Sequence, residues 1–252
     1  MPIYEARPEG LEPVAATTFE AEGWKERGDI QRLLRERIGA IEDGLLVLAE
    51  EFAGWVDAAR RIDLLCLDAL ANLVVVELKR GSDGGGHMEL QALRYAAMVS
   101  AMTFDQAVAA LAGFRDRAAP DPEAARAEIL AHLGWTSPDE ERFADTVRMI
   151  LVSADFSREV TTTVLWLRDF GLDVRCVRLR PHRLGDGRLL LDVQQIIPLP
   201  EASEFQTRLE EKKAAERKER GERAQLLDRF LRQLRRTCGS ADRPAPRPLA
   251  GC

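Results

Sequence analysis

Apolar positions along this chain switch between a helical and an alternating spacing, and the switches outline its elements. Ile30, Leu33, Leu34 and Ile38 fall at helical intervals, which predicts an amphipathic helix over residues 29–38 stopped near Gly39. Three strand-like runs follow at 45–52, 61–68 and 73–79, the last rich in valine, a residue that packs well on a pleated surface. The helical spacing returns over 88–102, 104–117 and 122–132. In TSPDEERF, Ser137 can cap, Pro138 suits a first turn and Glu140 stands three residues after the cap, the signature of a further short helix. A strand at 147–153, a helix at 157–170 closed by Gly171, and strands at 172–179 and 188–197 complete the pattern.

This succession of α, three β, several α and later β predicts an α/β fold, a mixed sheet with helices on both faces. Residues 1–23 read as a Pro/Gly-punctuated leader and 24–200 as the folded domain. Past Pro200 the composition changes: residues 201–237 read as a long charged helix and 238–252, CGSADRPAPRPLAGC, as a disordered tail. Only the second half of that helix has an apolar stripe, Leu226, Leu227, Phe230, Leu231 and Leu234, so a homodimer or another partner is expected there.

Composition narrows the class. A hydrophobic share of 46% in 252 residues supports a substantial core without cross-links. Cys66, Cys176, Cys238 and Cys252 form no CxxC pair and no zinc spacing, and are expected to be reduced thiols. The opening MPIYEARPEGLEPVAATTFE is acidic and lacks an apolar run, so a cytoplasmic location is expected. The net charge of -6 argues against a general basic coat for nucleic acid, but Lys and Arg outnumber acids between Arg208 and Arg236.

The chemistry concentrates in RRIDLLCLDALANLVVVELKR. If Leu67 pairs with Leu73 around a turn at 68–72, Asp63 stands opposite Glu77. Side chains alternate along a strand, so Glu77 and Lys79 share a face with Asp63. Two carboxylates at that separation repel each other unless a cation joins them, and hard oxygen donors suit Mg2+ or Mn2+, which keep waters and accept phosphate oxygens. Lys79 could then orient or deprotonate an attacking water, or stabilise charge on the transition state.

Asp63 followed by Glu77-Leu78-Lys79 resembles the PD-(D/E)xK nuclease superfamily, whose motif is an acid on one strand and an acid-x-Lys triplet on the next. The resemblance extends to Gln91 and Tyr95, one helical turn apart as in its Q-x-x-x-Y element. It also covers the earlier helix, where Glu26 or Asp29 is the candidate acid facing the metal. VRMILVSADF corresponds to a later core strand, and DVQQIIPLPEASEF is similar to bacterial members. Ile62 replaces the usual proline before the first acid. The resemblance implies a restriction-endonuclease-like fold and a Mg2+-dependent (or Mn2+-dependent) endonuclease acting on DNA, structure-specific or defence-linked. It implies catalytic roles for Asp63, Glu77, Lys79 and Gln91, with Asp63 and Glu77 as metal ligands. The rival is a nucleic-acid-binding or scaffold module with the same fold and no turnover.

Other features offer less. GSDGGG lacks the Gly-Lys-Ser/Thr ending of a phosphate-binding loop. His87, His132 and His182 are isolated in sequence, and Trp24, Trp55, Trp135 and Trp166 have no regular basic interleaving. Arg80, Arg94, Arg175, Arg178 and Arg180 are the candidates for phosphate contacts.

Overall fold

A computed structural model describes residues 2–53, 61–81 and 87–199. The expected charged helix and tail beyond Pro200, with Cys238 and Cys252, lie outside these residues, as do Trp55 and residues 82–86 of the glycine-rich loop.

The described elements are strands β1 (Ile3–Arg7) and β2 (Gly10–Ala16), a π-helical turn (Glu26–Gln31) running into α1 (Arg32–Glu36), and strands β3 (Leu46–Phe52), β4 (Ile62–Leu67) and β5 (Leu73–Lys79). Helices α2 (Met88–Val99), α3 (Phe104–Arg115) and α4 (Pro122–Leu133) lead to β6 (Val147–Ser153), α5 (Arg158–Asp169), β7 (Val174–Arg183) and β8 (Leu189–Ile197). They build a mixed sheet in the order β1-β2-β7-β6-β5-β4-β3, with β8 also on β7. β3, β4 and β5 are antiparallel neighbours, whereas β5, β6 and β7 run parallel.

The sheet is covered on both faces. Leu65, Leu67, Leu73, Val75 and Leu151 belong to the core under α2–α5, and Leu64, Cys66, Val74, Val76 and Ile150 to the one that holds Ile30 and Leu34. Burial of both faces explains why β4 and β5 read as unbroken apolar runs, and each fully buried Leu or Val there contributes roughly 1.5–3 kcal/mol. The mixed α/β sheet flanked by helices is the class expected from the sequence. Among the described residues no single helix is long and apolar enough to cross a membrane.

Local chemistry sets the joints. Asp68 closes the β4–β5 turn, its Oδ1 accepting from the Leu70 and Asn72 amides and its Oδ2 from the Asn72 side chain. Thr103 and Gln106 form a capping box on α3, and Asp121 and Ser157 cap α4 and α5. Gly171, at φ 86°, follows the C-terminus of α5, where a left-handed residue ends the helix at little cost.

Three expectations need correction. Residues 3–16, part of the region read as a leader, form the β1–β2 hairpin, whose Ala15 and Ala16 pair with Arg183 and His182 of β7. The helix expected at 29–38 starts earlier and irregularly, as the π-helical turn. No helix starts at Ser137; Glu140 reaches back to the Phe104 amide at 3.2 Å instead of its own cap, and Phe143 is buried against Phe104.

Candidate active site

β4 and β5 pair in the expected register, with Leu67 opposite Leu73 and Leu64 opposite Val76. One step further along, Asp63 and Glu77 face each other just past the last of these pairs. There a side chain takes over from the ladder: the Leu78 amide donates to Asp63 Oδ2 at 2.8 Å. Asp63 is 6% exposed and Glu77 fully buried. Lys79 leans back along β5, its Nζ donating to Glu77 Oε1 at 2.9 Å and to the Leu78 carbonyl at 3.0 Å. The structure therefore brings Asp63, Glu77 and Lys79 together on the edge of the buried sheet.

It also distinguishes between the two acids of the first helix. Glu26 stands at the site, its Oε1 3.8 Å from Lys79 Nζ and its Oε2 accepting from the Arg80 amide at 2.9 Å. Asp29 turns away to accept from the Lys25 amide at 2.7 Å, a capping role. The sequence could not separate them because both are acids of one helical first turn.

Two residues not singled out from the sequence shape the site from behind. Gln31 is buried, and its Nε2 lies 3.1 Å from Glu50 Oε1, 3.3 Å from Glu51 Oε1 and 3.3 Å from the Asp63 carbonyl. Glu51 belongs to β3, between the pairs Glu50–Leu64 and Phe52–Ile62, which puts it across from Asp63. Its φ of 50° is unusual for a side chain other than glycine, and such backbone conformations cluster at functional sites. An amide inside the apolar stripe between Ile30 and Leu34 was the one available signal for Gln31.

Charge at the site is out of balance. Burial, and then the nearby charge of Asp63, push Glu77 up to about 8. Burial also raises Asp63 to about 6, against the hydrogen bond from Leu78 and the charge of Lys79. Burial works against the Lys79 ammonium, but Glu77 outweighs it and raises its pKa. Glu77 Oε2 is buried with no hydrogen-bond partner among the described residues, a position that calls for an ion or water.

A divalent cation fits this donor set on one condition. Among the described residues no three His, Cys, Asp or Glu side chains are placed to hold a metal, so Asp63 and Glu77 would supply two carboxylates and the remaining positions would fall to water or substrate. Mg2+ binds proteins in that way, keeping several waters. The unpartnered Glu77 oxygen is the observation that favours the fit.

Gln91 lies on α2, which packs against β5 and β6, and its amide donates to the Tyr95 hydroxyl at 3.2 Å. No hydrogen bond joins it to Asp63, Glu77 or Lys79. His87 precedes α2 in a left-handed conformation with an exposed side chain, 4.0 Å from the buried Glu89 carboxylate. Of the candidate phosphate ligands, Arg80 is engaged by Trp24 and Glu20, and Arg94 is exposed on α2. Arg175 belongs to an ion cluster at the opposite end of the sheet. Arg180 pairs with Asp155, whereas Arg178 donates to Gln194.

No family model and no curated protein matches the chain. Two solved structures are similar. One is a repair endonuclease from Pyrococcus abyssi, with 18% identity and a TM-score of 0.37, covering 61% of this chain and 47% of that one. The other is the EndoMS-dsDNA2 complex, with 19% identity and a TM-score of 0.37, covering 71% and 64%. The chain thus spans about half of the first and under two thirds of the second, and likeness at that TM-score carries no argument for activity.

Proposed function

We propose that the protein is a Mg2+- or Mn2+-dependent nuclease that hydrolyses phosphodiester bonds in DNA, of the PD-(D/E)xK type. The observation that carries this reading is the pair of buried carboxylates, Asp63 and Glu77, with a Glu77 oxygen left without a partner beside Lys79.

Asp63 and Glu77 would hold the cation, which when bound polarises the phosphoryl group and lowers the pKa of a coordinated water. Asp63 is oriented from two sides, by the Leu78 amide on its carboxylate and by Gln31 on its carbonyl. Lys79 is kept charged by Glu77 and would orient the attacking water and stabilise negative charge on the phosphorus oxygens. Glu26 adds a second negative charge 3.8 Å from that ammonium. These residues position and neutralise charge, the main task in phosphoryl transfer.

The test is cleavage of single-stranded, duplex and branched DNA by the purified chain with Mg2+, Mn2+ or chelator, the branched substrate also deciding whether action is structure-specific. Asp63→Asn, Glu77→Gln and Lys79→Ala should each lower the rate by orders of magnitude while leaving the thermal melt cooperative. Undiminished cleavage by Glu77→Gln would sink the assignment.

A further inference from the structure

The strand register carries the site beyond the carboxylates. Glu77 aligns with Leu151 of β6 and Cys176 of β7, and one step on, Lys79 aligns with Ser153 and Arg178, and Arg178 with Gln194 of β8. Residues at one level of neighbouring strands share a face. Val75, Leu151 and Cys176 belong to one core cluster and Val76 and Val177 to the other, so Lys79, Ser153 and Arg178 face the same side as Glu77. They form a row across three parallel strands, at the C-terminal ends of β5 and β6 and midway along β7.

Within that row Arg178 is the cation without an anion. Its neighbour Arg180 is neutralised by Asp155 at 2.5 Å, and Arg175 by Glu42 and Asp173. Arg178 is only partly exposed, and no salt bridge joins it to any acid among the described residues. Its Nη2 donates to Gln194 Oε1 at 2.6 Å, while its buried Nε has no acceptor among the described residues. A buried guanidinium donor without a partner is costly, and an arginine fork is suited to phosphate. The bond to Gln194 draws the guanidinium toward β8, away from Lys79, whose strand is two spacings or about 10 Å distant. Ser153, between them, donates to the Gly81 carbonyl.

We propose that Arg178, steadied by Gln194, binds a backbone phosphate of DNA other than the one attacked, so that the strand runs from Asp63 and Glu77 across β6 toward β8. This rests on the nuclease reading of the carboxylate site.

The experiment measures binding of a fluorescein-labelled DNA duplex and its single strand to the full chain by anisotropy, over a range of salt concentrations, without divalent metal. Arg178→Gln should weaken binding roughly tenfold at ~100 mM salt and reduce the salt slope by about one. Arg188→Gln, which removes an exposed turn arginine paired with Asp186, should change neither by much. If Arg178→Gln fails to fold, Arg178→Lys is measured instead; it keeps the charge and loses the fork, so severalfold weaker binding with the full slope is expected. A folded variant that binds as wild type overturns the proposal and leaves the nuclease reading standing. A reduced slope in a chain that fails to cleave DNA with Mg2+ or Mn2+ supports the Arg178 site and defeats the hydrolytic reading. Failure of wild type to bind either DNA overturns both.

Discussion

The two ends of the central strands treat buried charge in opposite ways. At the N-terminal ends of β6 and β7, Arg148 is held by Glu42, Asp68 and Asp173 at 2.8–2.9 Å, with Arg175 and Arg168 closing the cluster. Burial works against the Arg148 charge, but the hydrogen bonds to Glu42 and Asp173 outweigh it and raise its pKa. Burial alone would raise Asp173, yet Arg148 and Arg175 hold it below the ordinary carboxylate range. At the C-terminal end of β5, by contrast, both buried acids are pushed up and one oxygen has no partner. Both ends contain charged residues in the sheet. The difference teaches that burial alone does not set a charge: the first cluster meets its charges with partners from distant strands, whereas the second leaves a carboxylate oxygen without one among the described residues.

Breaking the completed end should have the largest effect on stability. Arg148→Met removes the cation that three carboxylates share and takes from Asp68 its ion-pair partner, and loss of one partner from a buried cluster costs about 3–5 kcal/mol. Urea unfolding should show that loss, and a change near zero would mean the cluster is only a solvated surface.

Glu77→Gln should act in the opposite direction. Glu77 and Asp63 have folded pKa values near 8 and 6, above those of free carboxylates. Between about pH 4 and pH 8 the native state therefore holds protons that the unfolded chain has released, and stability falls as pH rises. Below that window both states are protonated and the contribution vanishes. The variant should match wild type near pH 4 and exceed it at pH 8–9 by about 1–3 kcal/mol; a wild-type melt that rises with pH across this window would refute the imbalance.

Millimolar MgCl2 offers a milder test of the same contrast. A cation between the two carboxylates should raise the melting temperature at pH 8 and do little at pH 5, where protons compete for the oxygens. Arg148→Met should still respond to it and Glu77→Gln should not. The smallest effect is expected at Gln91, whose observed partner is Tyr95. Gln91→Ala should slow DNA cleavage less than Glu77→Gln, and an equal loss in the two variants would give the amide a direct part in the chemistry.

Legibility in the sequence followed the range of the interactions. The register of β4 and β5 could be read because a short turn fixes it and apolar runs mark both strands, which also aligned Asp63 with Glu77. The Arg148 cluster could not, since Glu42 lies 106 positions away and Asp68 80. The same limit misled the reading at Ser137, where local residues spell a cap but Glu140 is claimed by Phe104 across 36 positions. The β1–β2 hairpin is mostly exposed on both faces and leaves no alternation to detect. Arg178 could be listed as basic from sequence, but its lack of an anion is a property of three neighbouring strands.

The bond from the Leu78 amide to Asp63 Oδ2 replaces a carbonyl with a group that changes charge. A backbone N–H whose acceptor gains a proton or shares its electrons with a cation becomes less strongly polarised, and its nitrogen and hydrogen resonances shift with it. The signal of this one amide would therefore follow the occupancy of the carboxylates directly, giving the protein an internal gauge that reads protonation and ion binding without any substrate being turned over.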